Sequence, residues 1–345
     1  MVLLLTPGDP AGIGPEITLR ALKKSPKSAR LICIGAPEPF IALGARLKVL
    51  EPSVSLRKLP KKTASEIYFI PAPQSAKLPA SDRLTQEGYQ AGWSIQCAVG
   101  LIRAGLADAL VTGPINKSKL RRGGFPFPGH TEMLAALCAP RKAKPLPVTM
   151  MLANSSLRVS LVTTHIAHSS VSRSLRPEGI ERAILQTADF LRFSAGINKP
   201  KVAVCALNPH AGEGGLFGAE EQEVILPAIR SLQRKLKGAV ELLGPLPSDT
   251  LFAQHYNSPR LKRFDAVVCM YHDQGLIPVK LVDFYETVNI SLGLPILRTS
   301  VDHGVAYDLV GKGTARPDSM ISAIQLALKL ARTRKRFLNT KEHSS

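Results

Sequence analysis

KVAVCALNPH, residues 201–210, is an apolar run that ends in a histidine. An uninterrupted apolar run is typical of a strand buried on both faces, as the strands of a parallel sheet are. The same arrangement recurs in RVSLVTTH (158–165) and DAVVCMYH (265–272). Because the carboxyl ends of parallel strands meet at one edge of a sheet, we expect the three terminal histidines to gather there.

The histidines at these strand ends are candidates for a metal site. A lone histidine in such a place is more often a residue at the rim of the core than a ligand. Three imidazoles from three strands can converge on one cation, and imidazole suits zinc, cobalt and other divalent ions. The recurrence of the pattern therefore predicts a metal centre formed by His165, His210 and His272.

Apolar strand-like runs alternate with amphipathic helical patterns along the chain. The helical patterns include Tyr89–Ala104, Pro177–Phe193 and Glu220–Leu236. This alternation predicts an α/β protein with a largely parallel sheet. With 345 residues, 45% of them hydrophobic, the chain is long enough to form two lobes.

Composition narrows the class of protein. The formal charge of +19 invites a nucleic-acid-binding hypothesis, but the basic residues are scattered and aromatic residues, which would stack on bases, make up 5% of the chain. No apolar stretch approaches the roughly 20 residues that a membrane span needs. The five cysteines form no CxxC pair, which favours reduced core residues. We therefore expect a soluble, cytoplasmic protein that binds neither nucleic acid nor membrane.

The segment GDPAGIGPE (8–16) follows the first predicted strand and opens a helix. Its glycine spacing is GxxxGxG, whereas a dinucleotide-binding Rossmann loop has GxGxxG. The second strand ends in Gly35-Ala36, where a ribose-binding acid would be expected. A Rossmann fingerprint is therefore excluded, and the glycines serve either a tight turn or the close approach of a ligand to the backbone.

Two further motifs indicate binding of an anion. In GHTE (129–132), His130 and Thr131 lie at a predicted helix N-terminus, where unpaired N–H groups attract phosphate. An ordinary N-cap at Thr131 is the simpler explanation of that pattern. Further along, Lys280, Asn289 and Arg298 place two cations and an amide in one short segment, and arginine binds phosphate or carboxylate through two parallel hydrogen bonds.

Two other segments carry candidate functional groups. Glycines surround His210 so densely in NPHAGEGG (208–215) that the segment predicts a close backbone contact. In GPLPSDT (244–250), Asp249 is a candidate general base or a hydrogen-bond partner of a metal-bound histidine. A helix cap for the residues that follow explains Asp249 equally well.

Taken together, these motifs resemble the 4-hydroxythreonine-4-phosphate dehydrogenase family of pyridoxal phosphate (vitamin B6) biosynthesis. They occur in the order of that family and cover most of the chain. The matching segments are GDPAGIGPE (8–16), TGPINK (112–117), GHTE (129–132), TTH (163–165), LNPHAGEGG (207–215), GPLPSDT (244–250), YHDQG (271–275) and NISLGLPILRTSVDHG (289–304).

The resemblance implies a two-lobed fold similar to the isocitrate and isopropylmalate dehydrogenases, which bind NAD without a Rossmann loop. It implies a homodimer whose active sites lie in a cleft between lobes and between subunits. We predict a cofactor-side lobe from residues 1–132 plus 290–345 and a metal and dimerisation lobe from residues 133–289.

The resemblance also implies roles for particular residues. His165, His210 and His272 would bind one divalent metal ion (zinc, magnesium or cobalt), one of them reaching in from the partner subunit. The substrate would be held by His130, Thr131, Lys280, Asn289 and Arg298. The implied reaction is NAD-dependent oxidation of 4-phosphooxy-L-threonine, followed by decarboxylation to 3-amino-2-oxopropyl phosphate.

Some specifics stay open at the level of sequence. The cofactor contacts are expected near Leu292–Asp308 without individual assignment, and NADP is an alternative to NAD. Relatives within the family act on threonate or erythronate 4-phosphate, which differ from the amino acid at C2. One departure concerns Thr287, which stands where the family pattern leads us to expect a glycine.

Overall fold

The structure is a computed structural model that describes residues 1–26, 28–51, 55–60, 66–259 and 263–342. The chain divides into two compact units. Unit 1 comprises Met1–Val148 and Leu294–Arg332, and unit 2 comprises Thr149–Gly293 and the chain from Thr333 onward.

The strands are β1 (Val2–Thr6), β2 (Arg30–Gly35), β3 (Leu47–Val49), β4 (Ile67–Pro71), β5 (Ala109–Thr112), β6 (Thr149–Ala153), β7 (Arg158–Leu161), β8 (Lys201–Cys205), β9 (Glu241–Leu246), β10 (Ala266–Cys269), β11 (Val288–Leu292) and β12 (Arg298–Val301). The α-helices are α1 (Gly14–Lys24), α2 (Glu38–Ala42), α3 (Arg83–Arg103), α4 (Lys117–Arg122), α5 (His130–Cys138), α6 (Val171–Ser174), α7 (Pro177–Asp189), α8 (Leu226–Lys235), α9 (Ser248–Asn257), α10 (His272–Val282) and α11 (Asp318–Glu342).

In unit 1 the strands run in the order β3-β4-β2-β1-β5-β12, and the neighbouring strands are parallel. The first strand is buried along its whole length, as its apolar sequence predicts. Its side chains pack with β2, β5 and α3 in one hydrophobic core that includes Leu4, Ile32, Ile95 and Leu110. The loops after β1, β5 and β12 consequently emerge at the same edge of the sheet.

In unit 2 the order is β11-β6-β7-β10-β8-β9. The pairs from β7 to β9 are parallel, whereas β6 is antiparallel to both β7 and β11. Strand β8, from the KVAVC of the opening motif, lies between β10 and β9 and is buried from Val202 to Cys205. The expectation of an α/β fold with a largely parallel sheet is confirmed.

The division between the units falls later in the chain than we predicted. The first boundary follows Val148 instead of residue 132, because Met133, Leu134 and Cys138 are buried in the hydrophobic core of unit 1. The second follows Gly293 instead of residue 289, and the chain from Thr333 onward, which we predicted in the cofactor-side lobe, belongs to unit 2. The functions assigned to the two lobes stay predictions.

Two further elements differ from the sequence prediction. The stretch 37–80, which has the weakest pattern, contains α2 and the strands β3 and β4. The sequence pattern predicts a last helix over Ser322–Arg332, and in the structure this helix runs from Asp318 to Glu342. Among the described residues, none of the helices combines the length and the apolarity that a bilayer crossing needs.

Candidate functional site

His165 and His272 are brought together by two adjacent parallel strands. In the pairing of β7 with β10, Leu161 lies opposite Cys269, so the segments that follow both strands start at the same level. The two imidazole centroids are 5.6 Å apart. Both rings line a cavity of about 180 Å³ that Thr164, Tyr271 and Asp273 also border.

Asp273 orients the imidazole of His272. The Nδ1 atom of His272 lies 2.6 Å from Oδ1 of Asp273. A carboxylate that holds one ring nitrogen fixes the orientation and tautomer of the ring and directs the other nitrogen towards a ligand. The His165 and His272 pair is therefore suited to hold part of the coordination sphere of a divalent ion.

His210 lies in a neighbouring cavity of unit 2, which shares His168, Val171 and Tyr271 with the first. Its cavity has a volume of about 580 Å³ and is also lined by Asn208, Ser248, Asp249 and Tyr271. Within the part of the chain that the structure describes, no group of three or more His, Cys, Asp or Glu side chains could hold a metal ion. One chain thus brings together two of the three predicted ligands.

The glycine-rich segment around His210 is a left-handed turn. Residues from His210 to Gly214 all have positive φ, between 42° and 78°. Glycine adopts this conformation freely, whereas each other L-residue in it costs roughly 1–2 kcal/mol. A Cβ on Gly212 would lie 2.6 Å from Oε2 of Glu221. The dense glycines therefore serve the turn and a close contact with a carboxylate of the same chain.

His130 begins α5 in unit 1 and is a neutral hydrogen-bonding group. Its Nε2 atom is buried and makes no hydrogen bond with the described residues. Burial, together with the positive charge of Arg298, holds the pKa of His130 well below the ordinary value for histidine. At neutral pH this imidazole is uncharged, and its buried Nε2 atom has the capacity for one further hydrogen bond.

Thr131 is not the N-cap of its helix, so the simpler explanation of its position is wrong. The N-cap is Gly129, which has an extended conformation and no side chain to accept a hydrogen bond. Thr131 therefore lies inside the first turn, among backbone N–H groups that a ligand can use. Its assignment as a substrate-binding residue stays a prediction.

Arg298 begins β12 and is buried, with 4% of its surface exposed. Its Nη2 and Nε atoms donate to Oγ1 of Thr112 at 2.7 and 3.1 Å. Burial lowers the pKa of Arg298 to about 9, which still leaves the guanidinium charged at neutral pH. Unit 1 thus holds a desolvated cation and a neutral imidazole that interact electrostatically.

Lys280 and Asn289 are held in unit 2, on α10 and β11. The Nζ atom of Lys280 lies 5.6 Å from the ring centroid of Phe284. Asn289 is paired with Leu152 in the register of β11 and β6. The two residues are therefore joined by the segment that connects α10 to β11.

Asp249 lies in the first turn of α9 and is exposed. The N-cap of that helix is Pro247, so Asp249 does not occupy the capping position. Its carboxylate lines the cavity of His210, whereas His165 and His272 border the smaller cavity. Asp249 thus shares a cavity with His210, and its assignment as the general base stays a prediction.

The glycines of GDPAGIGPE serve packing between loops. A Cβ on Gly8 would lie 2.0 Å from the carbonyl oxygen of Pro114, and one on Gly14 would lie 2.0 Å from that of Pro7. No side chain larger than glycine fits at either position without moving the backbone. Of the two explanations that the sequence left open, the tight turn accounts for these contacts.

An ionic network in unit 1 was not identified from the sequence. The Nζ atom of Lys119 lies 3.1 Å from Oδ1 of Asp9 and 2.6 Å from Oε2 of Glu87. The hydroxyl of Tyr307 donates to the other oxygen of Asp9. These residues lie far apart in sequence. The one sequence signal for the network was Asp9, the acidic residue of GDPAGIGPE.

The segment after β12 has exposed side chains and an open stretch of backbone. His303 and Asp308 are exposed there. Between them, a Cβ added to Gly304 would meet nothing within 4 Å, so a ligand can approach the backbone. The segment lies within the region where we expect cofactor contacts.

Comparison with known proteins agrees with the motifs. Residues 33–327 match the family described as pyridoxal phosphate biosynthetic protein PdxA. A 4-hydroxythreonine-4-phosphate dehydrogenase of Caulobacter vibrioides is 43% identical, with 96% of this chain and 98% of that protein covered. A Bradyrhizobium diazoefficiens protein, named provisionally as a D-threonate 4-phosphate dehydrogenase, is 41% identical, with 95% and 96% covered.

A solved structure supports the same relationship. The crystal structure of 4-hydroxythreonine-4-phosphate dehydrogenase from Klebsiella pneumoniae superposes with a TM-score of 0.82 at 37% identity, covering 96% of this chain and 99% of that one. The fold and these relatives define an α/β oxidoreductase. More particularly, the chain belongs to the pyridoxal phosphate biosynthetic protein PdxA family.

Proposed function

We propose that this protein is an NAD-dependent dehydrogenase that oxidises 4-phosphooxy-L-threonine and releases carbon dioxide to form 3-amino-2-oxopropyl phosphate. NADP is the alternative cofactor. The observation that carries the proposal is the His165 and His272 pair at the ends of adjacent parallel strands, in a chain of this family. The product would enter pyridoxal phosphate synthesis.

The metal would be held by His165 and His272 of one subunit and by the partner's His210. Two imidazoles 5.6 Å apart offer nitrogen ligands of the kind that zinc, cobalt and similar ions accept. Such an ion would lower the pKa of the substrate hydroxyl and, after oxidation, would withdraw electron density from the carbonyl formed in its place. We infer a homodimer from the resemblance to the family, and we assign the partner's ligand to His210 because it borders the neighbouring cavity and not the one that His165 and His272 line.

The substrate would be bound by the five residues that the resemblance implies. Arg298 supplies a charged, planar fork for phosphate or carboxylate, and Lys280 supplies a second positive charge. His130 is neutral, so it offers a hydrogen bond without adding charge. Thr131 and Asn289 provide a hydroxyl and an amide for the remaining oxygens.

During oxidation the C–H hydrogen would leave as hydride to NAD and the hydroxyl proton would pass to a base. Asp249 is the candidate base. Because Asp249 and His210 line one cavity, both would serve the same active site of the dimer. The resulting β-keto acid then loses carbon dioxide, and a proton replaces the carboxyl group.

The first experiment is to follow NADH formation at 340 nm with 4-phosphooxy-L-threonine, beside threonate 4-phosphate, before and after removal of divalent metal. Metal-dependent turnover that favours the amino acid supports the proposal. Preference for the sugar acid would support the second candidate, which the similarity to the Bradyrhizobium protein favours. Absence of NAD reduction with either substrate would contradict both.

A second experiment tests the shared metal site. Co-expression of His210→Ala and His272→Ala chains should restore roughly a quarter of wild-type activity, since about half of the dimers are mixed and each mixed dimer has one intact site. Co-expression of His165→Ala with His272→Ala is the matched control, and it should restore none. Equal rescue in both mixtures would contradict the assignment of His210 to the partner's site.

We expect the enzyme to act in the cytoplasm. The cysteines of the described chain are free thiols, and Cys33, Cys138, Cys205 and Cys269 are buried. Structural disulfides are rare in reducing compartments, where free buried thiols persist. Cell fractionation with an antibody against this chain would test the location.

A further inference from the structure

The segment Asp283–Thr287 joins two of the proposed substrate-binding residues. Lys280 lies in the last turn of α10 before it, and Asn289 lies near the start of β11 after it. The spacing between these two side chains therefore depends on the conformation of the segment. Any group that holds the segment in one conformation also fixes where the lysine and the amide are presented.

Hydrogen bonds made by Asp283 and Thr287, at the two ends of the segment, hold the segment folded back on itself. Oδ1 of Asp283 accepts from the backbone N–H groups of Tyr285 and Glu286, at 3.1 and 3.0 Å. The hydroxyl of Thr287 donates to the backbone carbonyl of Asp283. The segment thus folds back on itself, with Thr287 as the closing residue.

Asn154 ties this closed segment to α10. Its Nδ2 atom donates to the carbonyl oxygen of Val279 at 2.9 Å and to Oγ1 of Thr287 at 3.3 Å. Val279 is the residue immediately before Lys280. One amide therefore connects the backbone beside the lysine with the side chain that closes the loop.

The burial of Thr287 makes the hydrogen bonds of its hydroxyl necessary. The residue is fully buried, with 0% of its surface exposed. A buried hydroxyl must find hydrogen-bond partners, and here it donates to one group and accepts from another. A glycine at this position would remove both bonds and widen the range of accessible backbone conformations.

We propose that Thr287, together with Asn154, is a positioning residue that sets the spacing between Lys280 and Asn289 for substrate binding. The assignment depends on the proposed function, because Lys280 and Asn289 are substrate-binding residues only if that function holds. Thr287 itself does not touch the substrate. Its effect is confined to the affinity for the phosphorylated substrate and does not extend to NAD.

The test compares Thr287→Val, Thr287→Ser and wild-type enzyme. Valine keeps the shape and loses the hydroxyl, so the KM for 4-phosphooxy-L-threonine should rise about tenfold while kcat and the KM for NAD stay within about twofold. Serine keeps the hydroxyl and should restore the wild-type KM. Amide hydrogen exchange should show faster exchange at Tyr285 and Glu286 in the valine variant alone.

Thr187→Val is the matched control. Thr187 is also fully buried in unit 2, and its hydroxyl donates to Oγ of Ser160 at 2.7 Å. Its loss should lower the melting temperature without changing the KM for the substrate. A change in KM that is equal in the two valine variants would show a general loss of stability and overturn the proposal.

The outcomes separate this inference from the proposed function. If wild-type enzyme turns over the substrate and Thr287→Val has an unchanged KM, the positioning role is overturned while the function stands. Unchanged amide exchange in the valine variant would also overturn it. If wild-type enzyme oxidises neither candidate substrate, the proposed function fails and the assignment fails with it.

Discussion

Unit 1 and unit 2 each carry candidate functional residues, but the two units place these residues in different surroundings. In unit 1, Arg298 is buried, and burial together with the charge of Arg298 lowers the pKa of His130. In unit 2, His165 and His210 are exposed, and His210 borders a cavity next to the one that His165 and His272 line. Arg298 and His130 interact within one chain, whereas one chain does not bring the three histidines together.

This difference agrees with what each group of residues is proposed to bind. A charged guanidinium and a neutral imidazole can be held ready for an anion by one folded chain, at the cost of removing the charge from water. Imidazoles that meet around a cation gain their stabilisation from the cation and, in the proposed dimer, from a second chain. We therefore expect unit 2 to respond to metal and to assembly, and unit 1 to respond to charge and pH.

The largest effect is expected from His210→Ala. Turnover should fall by at least about 1,000-fold, since a site with two imidazoles loses much of its affinity for the metal. The variant should retain wild-type circular dichroism because His210 is exposed and outside the core. Metal content after dialysis should fall in parallel with activity, and chelator-treated wild-type enzyme is the control. Retained activity would contradict the metal assignment.

The next effect tests the binding group of unit 1. Arg298→Lys keeps the charge but loses the planar fork, so kcat/KM should fall about 10- to 100-fold. Hydrogen bonds to Thr112 would also be rearranged, because lysine has one terminal nitrogen in place of several. Steady-state kinetics at fixed NAD measure the change. A kcat/KM within twofold of wild type would show that the fork is not needed.

A smaller effect concerns the protonation of His130. Its pKa is lowered first by burial and second by the positive charge of Arg298. In Arg298→Gln the charge is absent, so the pKa of His130 should rise towards the ordinary value but remain below it. The imidazole would then become protonated at a higher pH than in wild type. NMR titration of the histidine ring protons measures the shift, and an unchanged pKa would contradict the electrostatic contact.

The smallest effect concerns the left-handed turn beside His210. Ala211 has a φ of 55°, so Ala211→Gly should stabilise the protein by about 1 kcal/mol in chemical denaturation. Ala253→Gly is the control, because Ala253 is an exposed residue inside α9. There the same substitution should destabilise by about 1 kcal/mol. Destabilisation by both changes would indicate that the turn is not strained.

Most strands that the sequence predicted are buried apolar runs. Strands β1, β8 and β10 were located because successive residues are apolar on both faces, which is a signal local to the chain. The edge strand β3 was not found, since it is short and its residues Lys48 and Val49 are exposed. A strand whose pairing supplies its stability leaves little pattern in its own sequence.

The candidate site was predictable to the extent that its residues follow recognisable strands or match the family motifs. Sequence alone placed His165, His210 and His272 after strands, but it did not show that His165 and His272 line one cavity while His210 borders its neighbour. It also left the status of Thr131 open, which the position of Gly129 as N-cap resolved. Distances between segments that are remote in sequence depend on packing, and no local pattern reports them.

The sequence by itself determined the α/β class, the strand-end histidines and the family, because hydrophobic periodicity and ordered motifs are written in neighbouring residues. Only the tertiary structure showed that β12 is a buried strand. Its residues Arg298, Thr299 and Ser300 are polar, yet all are buried, since their side chains bond to Thr112 and to the backbone carbonyls of Thr112 and Ala323. A polar strand becomes a buried one when remote partners satisfy its hydrogen bonds, and those partners are set by the fold.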